Sequence, residues 1–458
     1  MSIINNGLSG ALAAQLGLDT TSHNVANVMT PGFTRQGVLL AAVLPASGGT
    51  AAGAGVRVPA LQRFSDEYKS LQLWRANSKL GQHEPSQPYL TQIEQVMGDD
   101  ASSINTGMQQ FFAALNAASV DPTSSPLRQA VVTSASGLAQ RFNSLQQVLT
   151  NQRNSVYQQR SDIVAHVNLV LQQIARLNGQ ISATNATGVN SSGLIDSRDQ
   201  KIDELAGLVG VQVVNQPDGS RSVALPDGQP LVVGAGASSL SIQTNANGTQ
   251  SLQLTFASET FSLAGRSVGG QLGALDDFER GTLAPMALSI SDLAVAVADK
   301  INTHLAAGYT MDGRSGPPLF VANPASASAL LTVSSGFLGS DLAFSSDAAQ
   351  PGNSDNLLAV IDSKNQPVSI ASLGSVLLGD SYTQLVAVIG NASAKNQSDL
   401  KTAQTVRDQA LENWKSTSGV NSDEEAMNLM QFQQMYQANM KVVAIANQLF
   451  DSTLAMMS

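Results

Sequence analysis

The segment that most constrains this chain is its last one, Ser418–Met457, which reads SGVNSDEEAMNLMQFQQMYQANMKVVAIANQLFDSTLAMM. It opens with a helix start. Ser422 is placed to cap the free amides and Glu425, three residues on, completes a capping box. Asp423 and Glu424 sit where the positive end of the helix dipole favours them. Two apolar stripes then run side by side at alternating spacings of three and four. One holds Met435, Ala438, Val442, Ile445, Leu449 and Met456; the other holds Phe432, Tyr436, Asn439, Val443, Ala446, Phe450 and Met457. Gln434, Gln437, Lys441, Gln448 and Asp451 form a polar strip beside them. Such a helix, of about 36 residues, would be about 54 Å long. An apolar face this wide needs partners on more than one side.

The other end of the chain supplies the candidate partner. Ile4, Leu8, Ala11, Leu18, Val25 and Met29 follow the same rhythm, interrupted by Gln15 and Ser22. A secretory signal is not expected, because the first basic residue is Arg35 and such a signal needs a basic start. The competing reading makes both ends ordinary helices in a bundle core. A lone helix pair is marginal in water, so neighbours must pack on it.

Composition excludes several classes. With 458 residues the chain can hold two to four domains. Its net charge of −10 and the absence of a long basic run argue against nucleic acid, which needs a basic footprint. There is no cysteine, hence no disulfide and no thiolate metal site. His23, His83, His166 and His304 are scattered without ligand spacing, so neither a metal nor a cofactor is expected. No uninterrupted apolar run approaches the ~18–20 residues of a membrane span, and membrane insertion is not expected either.

In chain order, Thr30-Pro31-Gly32-Phe33 suits a type II turn, with proline and glycine at its two central positions. Val38 to Val58, with Gly48-Gly49 and Gly53-Ala54-Gly55, reads as an extended connector. From Leu61 the pattern is helical, with Leu61, Phe64, Tyr68 and Leu71 on one face until Gly81 and Pro85. A helix is expected around Met108–Ala117, and a long one from Pro126 to about Ser182, rich in Gln and Asn rather than Glu–Lys pairs. Val211 to Phe261 changes to short β-prone runs punctuated by Asp218-Gly219 and Asp227-Gly228, which reads as a small antiparallel β insert. Helix returns from about Leu275 to Leu305. Gly313 to Val376 is loop-rich with strands expected at Leu330–Val333 and Leu357–Asp362, and Tyr382–Lys415 is helical.

One short motif invites a catalytic reading. Gly265-Arg266-Ser267-Val268-Gly269 matches G-x-S-x-G, and Asp276 and His304 follow in the order of a hydrolase triad. That fold needs parallel strands with crossover helices, whereas the preceding strands look hairpin-connected. Met427, Met430, Met435, Met440, Met456 and Met457 read as adaptable packing rather than a cofactor box.

Residues 24–36, NVANVMTPGFTRQ, resemble the N-terminal signature of flagellar axial proteins, and SGVNSDEEAMNLMQFQQMYQANMKVV resembles their C-terminal one. GLIDSRDQKIDELAGLVGVQVV (193–214) and GGQLGALDDFERGTLAPMALSISDLAVAVADKINTHLAAGY (269–309) resemble the hook-associated protein 1 family, the first of the hook–filament junction proteins. The resemblance implies a non-enzymatic structural protein that polymerises with its own copies and contacts hook protein, the second junction protein and filament. It implies export unfolded through the flagellar type III apparatus, without a cleaved signal, and a dedicated chaperone on the C-terminal helix until export. It makes Ile4, Leu8, Ala11, Leu18, Val25, Phe432, Met435, Tyr436, Val442, Val443, Leu449, Phe450 and Met456 the assembly interface, and Asn24, Asn27, Pro31, Gly32, Phe33 and Arg35 the exit from the first helix. Many relatives carry a larger β-rich outer domain after the helix ending near Gly308; here only Gly313–Asn353 stands in its place.

The expected fold is α+β and mainly α, with three nested parts. These are paired terminal helices (1–38 and 416–458), a bundle (39–205 and 271–415, with a reduced loop and β segment near 313–376), and the β-rich insert (206–270). Three readings compete with a junction protein: another axial protein of hook or rod, a globular adhesin whose helices pack internally, and a serine hydrolase using Ser267.

Overall fold

The computed structural model describes residues 2–44, 53–245 and 248–457. The chain is mainly helical, with small antiparallel sheets. In order it runs α1 (Ser2–Ala26), β1 (Gln36–Ala42), β2 (Val56–Arg63), α2 (Glu67–Gly81), α3 (Ser86–Gly98), α4 (Ile104–Val120), α5 (Ser125–Ala186) and α6 (Ser192–Leu208). Seven strands follow: β3 (Gln212–Asn215), β4 (Arg221–Ala224), β5 (Pro230–Val233), β6 (Gly236–Ala237), β7 (Ser239–Thr244), β8 (Gln250–Phe256) and β9 (Glu259–Ser262). Then come α7 (Gly270–Phe278), a π turn at Glu279–Leu283, α8 (Ala284–Ala307), β10 (Phe320–Ala322), β11 (Leu331–Val333) and α9 (Asp355–Asp362). The chain closes with β12 (Pro367–Ile370), β13 (Gly374–Leu377), α10 (Leu378–Ser418) and α11 (Ser422–Met457).

Two compact units result. The first holds residues 1–81, 164–270 and 403–458; the second holds 82–163 and 271–402. These bounds are drawn differently from the three expected parts. Residues 39–81, 164–205 and strands β3 to β9 fall with the terminal helices; Asn168 and Asn178 near the end of α5 bond two of those strands.

That device recurs through the chain. A carboxamide sets an N–H donor beside a C=O acceptor, as a backbone peptide does, so it can complete an unpaired strand edge. In the first unit Asn168 donates to the Leu240 carbonyl (2.9 Å) and accepts from its N–H (2.7 Å). Asn178 does the same for Arg221 at 2.8 and 3.1 Å. In the second unit Asn143 pairs both groups of Leu331, and Asn302 both groups of Phe320. Helices rich in asparagine rather than Glu–Lys pairs are thus helices that carry strands.

In the first unit β3-β4-β5-β6 and β7-β8-β9 form two antiparallel sheets. Their buried Val223, Leu231, Val232, Leu240 and Leu254 join Val167, Val170, Leu171, Ile174 and Ile181 of α5 in the core. Gly219 and Gly228 take positive φ at the expected Asp-Gly turns. In the second unit α3, α4, α8 and α10 bury Ile93, Met97, Phe111, Leu115, Ile290, Leu293, Val297 and Leu385, and the Tyr382 hydroxyl donates to the Met97 carbonyl at 3.0 Å. Arg160, 1 % exposed at its side chain, pairs with Glu279 on the π turn at 2.5 Å.

Several sequence expectations are corrected. The connector read over Val38–Val58 is instead a β-hairpin, with β1 and β2 antiparallel and a bulge between Leu39 and Ala41; its Gly48-Gly49 part lies outside the described residues. Leu61 belongs to β2, and helix begins only at Glu67. α3 was hidden behind Pro85 and Pro88. Leu357–Asp362 is helix rather than strand, because a short apolar run does not fix its own period. Gly270–Ala307 is long and apolar enough to cross a membrane by length and mean hydropathy. Met286, Ile290, Leu293, Val297, Ile301 and Leu305 on it instead serve as core. Asn421, not Ser422, caps α11, its Oδ1 accepting the Asp423 N–H at 3.0 Å.

Candidate assembly site at the terminal helices

α1 and α11 lie antiparallel. Gly7 abuts Val443, Gly10 abuts Asn439, Gly17 abuts Phe432, and Asn24 bonds Glu425. The α1 side of this seam is Gly7, Gly10, Ala14, Gly17, Thr21 and Asn24, all buried and alternating three and four residues apart. A Cβ added at Gly10 would sit 2.3 Å from Asn439 Oδ1, and one at Gly17 2.5 Å from the Phe432 ring. Small residues therefore set how closely the helices approach. The expected Ile4, Leu8, Ala11, Leu18, Val25 stripe is not this seam: Leu8 and Val25 are exposed, Ile4 and Leu18 half-buried, and only Ala11 is buried. Large apolar residues repeat along a different side of α1, while small ones repeat along its seam with α11.

On α11 the two stripes part company. Phe432, Asn439 and Val443 are half-buried and Ala446 is buried against α1; the Met457 side chain lies outside the described residues. Along the other stripe Met435 is half-buried, Val442 is partly exposed beside Gly7, and Ile445, Leu449 and Met456 stand exposed. Tyr436 is exposed at the seam's edge. α11 also outruns its partner. With Gly7 opposite Val443, the last ten or so residues extend past the start of α1, about 15 Å of helix. Leu449, Phe450, Leu454 and Met456 lie on that overhang and are exposed.

The helix exit ties the pair to the first unit. Thr30 to Phe33 closes a turn through Phe33 N–H to the Thr30 carbonyl (3.2 Å), with Gly32 at φ +75, the conformation a type II turn requires. Pro31 is exposed and Phe33 packs edge-on to His23. Asn27 donates to the His23 carbonyl and receives the Thr30 hydroxyl. Asn24 donates to the Gln36 carbonyl (2.7 Å) and accepts its N–H (3.0 Å), pairing the start of β1. The same Nδ2 lies 3.1 Å from Glu425 Oε2. Arg35 is ion-paired with Glu424, covers the Phe64 ring, and donates its N–H to the Ser418 carbonyl.

One layer further in, Asp196 accepts the Thr34 N–H and Arg63 Nε, and Asp199 receives Arg63, Arg198 and Arg221. Burial lowers the Arg198 guanidinium from its ordinary value, and the Asp199 carboxylate beside it opposes that. Asp203 bonds Asn77, and burial pushes its carboxyl up. Sequence reasoning missed this carboxylate–arginine knot, since its members lie far apart in the chain.

Among the described residues no group of three or more His, Cys, Asp or Glu could hold a metal. Ser267 lies exposed in the loop after β9, an antiparallel strand. Asp276 is instead engaged by Arg280 and faces Arg160, and the His304 ring neighbours the Gln366 amide.

Residues 90–320 match the flagellar hook-associated protein FlgK helical domain, and residues 415–456 match the flagellar basal body rod FlgEFG protein C-terminal family. Flagellar hook-associated protein 1 of Escherichia coli K12 is 27% identical, covering 99% of each chain. That alignment runs over 544 positions against 458 residues here, so the relative carries segments absent from this chain. The Bacillus subtilis 168 protein of the same name is 26% identical over 96% of this chain and 95% of its own. The solved flagellar hook junction protein FlgK from Burkholderia pseudomallei shares the fold with a TM-score of 0.67 at 18% identity, covering 75% of this chain and 99% of that one. The chain belongs to the flagellar hook-associated protein FlgK family.

Proposed function

We propose that this chain is built into the hook–filament junction through α1 and α11, polymerising with its own copies. As a member of its family it is a structural component of the bacterial flagellum. The observation that carries the proposal is the division of labour on α11. Phe432, Asn439, Val443 and Ala446 of one stripe are seated on α1, while Ala438, Ile445, Leu449 and Met456 on the other stand open to solvent. A second unpartnered apolar face on a helix marks a surface for a partner. The C-terminal match is shared with rod proteins, so the choice of junction over rod or hook rests on the central match at 90–320.

The neighbours follow from that placement: copies of the same chain around the ring, hook protein on one side, and the second junction protein and filament on the other. We place the chain outside the cell, delivered by the flagellar type III apparatus without signal cleavage, with a dedicated chaperone covering α11 before export. The role is structural and non-enzymatic; the hairpin topology before Ser267 and the arginines around Asp276 support this over a hydrolase.

Leu449→Asp tests the reading. Cells carrying it as their sole copy should release the variant into the medium yet assemble no filaments, whereas Gln437→Asp on the polar strip should behave as wild type. An exported Leu449→Asp variant that supports filaments of normal length overturns the proposal.

A further inference from the structure

The chain has twelve methionines and no cysteine, so its thioethers are the side chains most open to two-electron oxidants. Their placement is uneven. Met97, Met108 and Met286 are buried in the second unit. Met29, Met427, Met430, Met440 and Met456 are exposed, and every one lies on α11 or at the exit from α1. Met427 and Met430 are one turn apart and almost equally open, at 58% and 55%. Three residues apart, they stand on adjoining strips of the helix rather than on one line. Met427 and Met456 end the line that holds Ala438, Val442, Ile445 and Leu449, whereas Met430 heads the strip of Gln434, Gln437, Lys441 and Gln448.

We propose that Met427 and Met456 are modification sites at which peroxide, or an oxidant of the hypohalous-acid class, switches off assembly of this helix. The inference rests on the assembly reading above. In the peroxide case a sulfur lone pair attacks one peroxide oxygen, the S–O bond forms as the O–O bond breaks, and water leaves after proton transfer. Methionine is oxidised by two electrons and peroxide is reduced. The product is a strong hydrogen-bond acceptor in place of an apolar sulfur, and burying it against Ile445 and Leu449 of a neighbouring copy leaves it without a donor. A covered stripe puts the sulfur out of reach, so oxidation acts on the free chain and not on the finished junction. A thiol-dependent sulfoxide reductase reverses it.

The test uses purified full-length chain treated with hydrogen peroxide, mapped by peptide mass, and added to hooks isolated from a strain lacking this protein. Met29, Met427, Met430, Met440 and Met456 should gain oxygen before Met97, Met108 and Met286. Treated chain should decorate hooks about tenfold less or worse, and a sulfoxide reductase should restore it. A chain carrying Met427→Leu and Met456→Leu should keep its decoration after treatment even though Met430 is oxidised, and Met430→Leu alone should give no protection. Uniform oxidation of all methionines, full decoration by treated wild type, or equal loss in the double variant would each overturn the proposal. Untreated Leu449→Asp separates the two readings. If it decorates hooks as wild type does, the assembly reading falls; if it fails while oxidised wild type succeeds, only the oxidation sites fall.

Discussion

Asn24→Asp changes one atom in the knot where the terminal helices leave the first unit. The Asn24 Nδ2 donates to the Gln36 carbonyl at 2.7 Å and lies 3.1 Å from Glu425 Oε2, and the residue is 1% exposed. The substitution keeps the acceptor for the Gln36 N–H but turns an oxygen toward a carbonyl and a carboxylate. Two unit charges 3.1 Å apart cost on the order of 5 kcal/mol at an effective dielectric of about 20. The lost donor adds about 1–3 kcal/mol. Carboxylates this close share a proton, so the pair's folded pKa rises above its unfolded value. For an acid with a raised folded pKa, the penalty is absent below the unfolded pKa, about 4, and grows as pH rises toward the folded one. Asn24→Asp should therefore match wild type near pH 4 and lose most of the docking of α1 and α11 at pH 7. Asn24→Ala lacks the second charge and should lose about 1–3 kcal/mol with little pH dependence. Hydrogen exchange of α1 and α11 amides in the full chain, followed against pH, reads both. Wild-type protection of Asn24→Asp at pH 7, or a loss that does not ease on acidification, would refute the reasoning.

Two further substitutions probe other parts. Gly17→Leu forces a side chain where even a Cβ would sit 2.5 Å from the Phe432 ring; overpacking of this kind costs about 1–3 kcal/mol and should free both termini to protease, while Gln15→Leu on the exposed side should not. Arg160→Met removes the buried partner of Glu279 and should cost the second unit about 3–5 kcal/mol, with most of it recovered when Glu279→Leu is added; thermal melts that show no such recovery would contradict a desolvated pair.

The ends of the chain were legible because they are long and periodic. α11 was bounded at Ser422 and Met457 by its acidic first turn and sustained stripes, and the Thr30-Pro31-Gly32-Phe33 turn was readable because only glycine takes φ +75 at no cost. The seam between the ends was not. Gly7, Gly10 and Gly17 count as helix breakers in a local reading, and only the partner helix shows that their missing side chains are the contact. β1 and β2 were lost among Ala and Gly, which alternate too weakly in polarity to mark a strand. The capping box failed for a tertiary reason: Glu425 is drawn inward to Asn24, leaving the cap to Asn421. Val442, expected to lie on the open stripe, is shared, since it also lies beside Gly7. Leu449 is therefore the cleaner probe of assembly.

The central claim is that the open stripe of α11 is covered by neighbouring copies in the flagellum. Because the chain has no cysteine, a single Ile445→Cys supplies one thiol at a position 56% exposed in the free chain. Its rate of maleimide labelling should be close to that of a free thiol in the purified chain and fall by about a hundredfold or more in intact flagella, as expected when local opening costs a few kcal/mol. Gln437→Cys on the polar strip is the companion measurement and should fall less. Equal labelling of Ile445→Cys in the free chain and in assembled flagella would contradict the account.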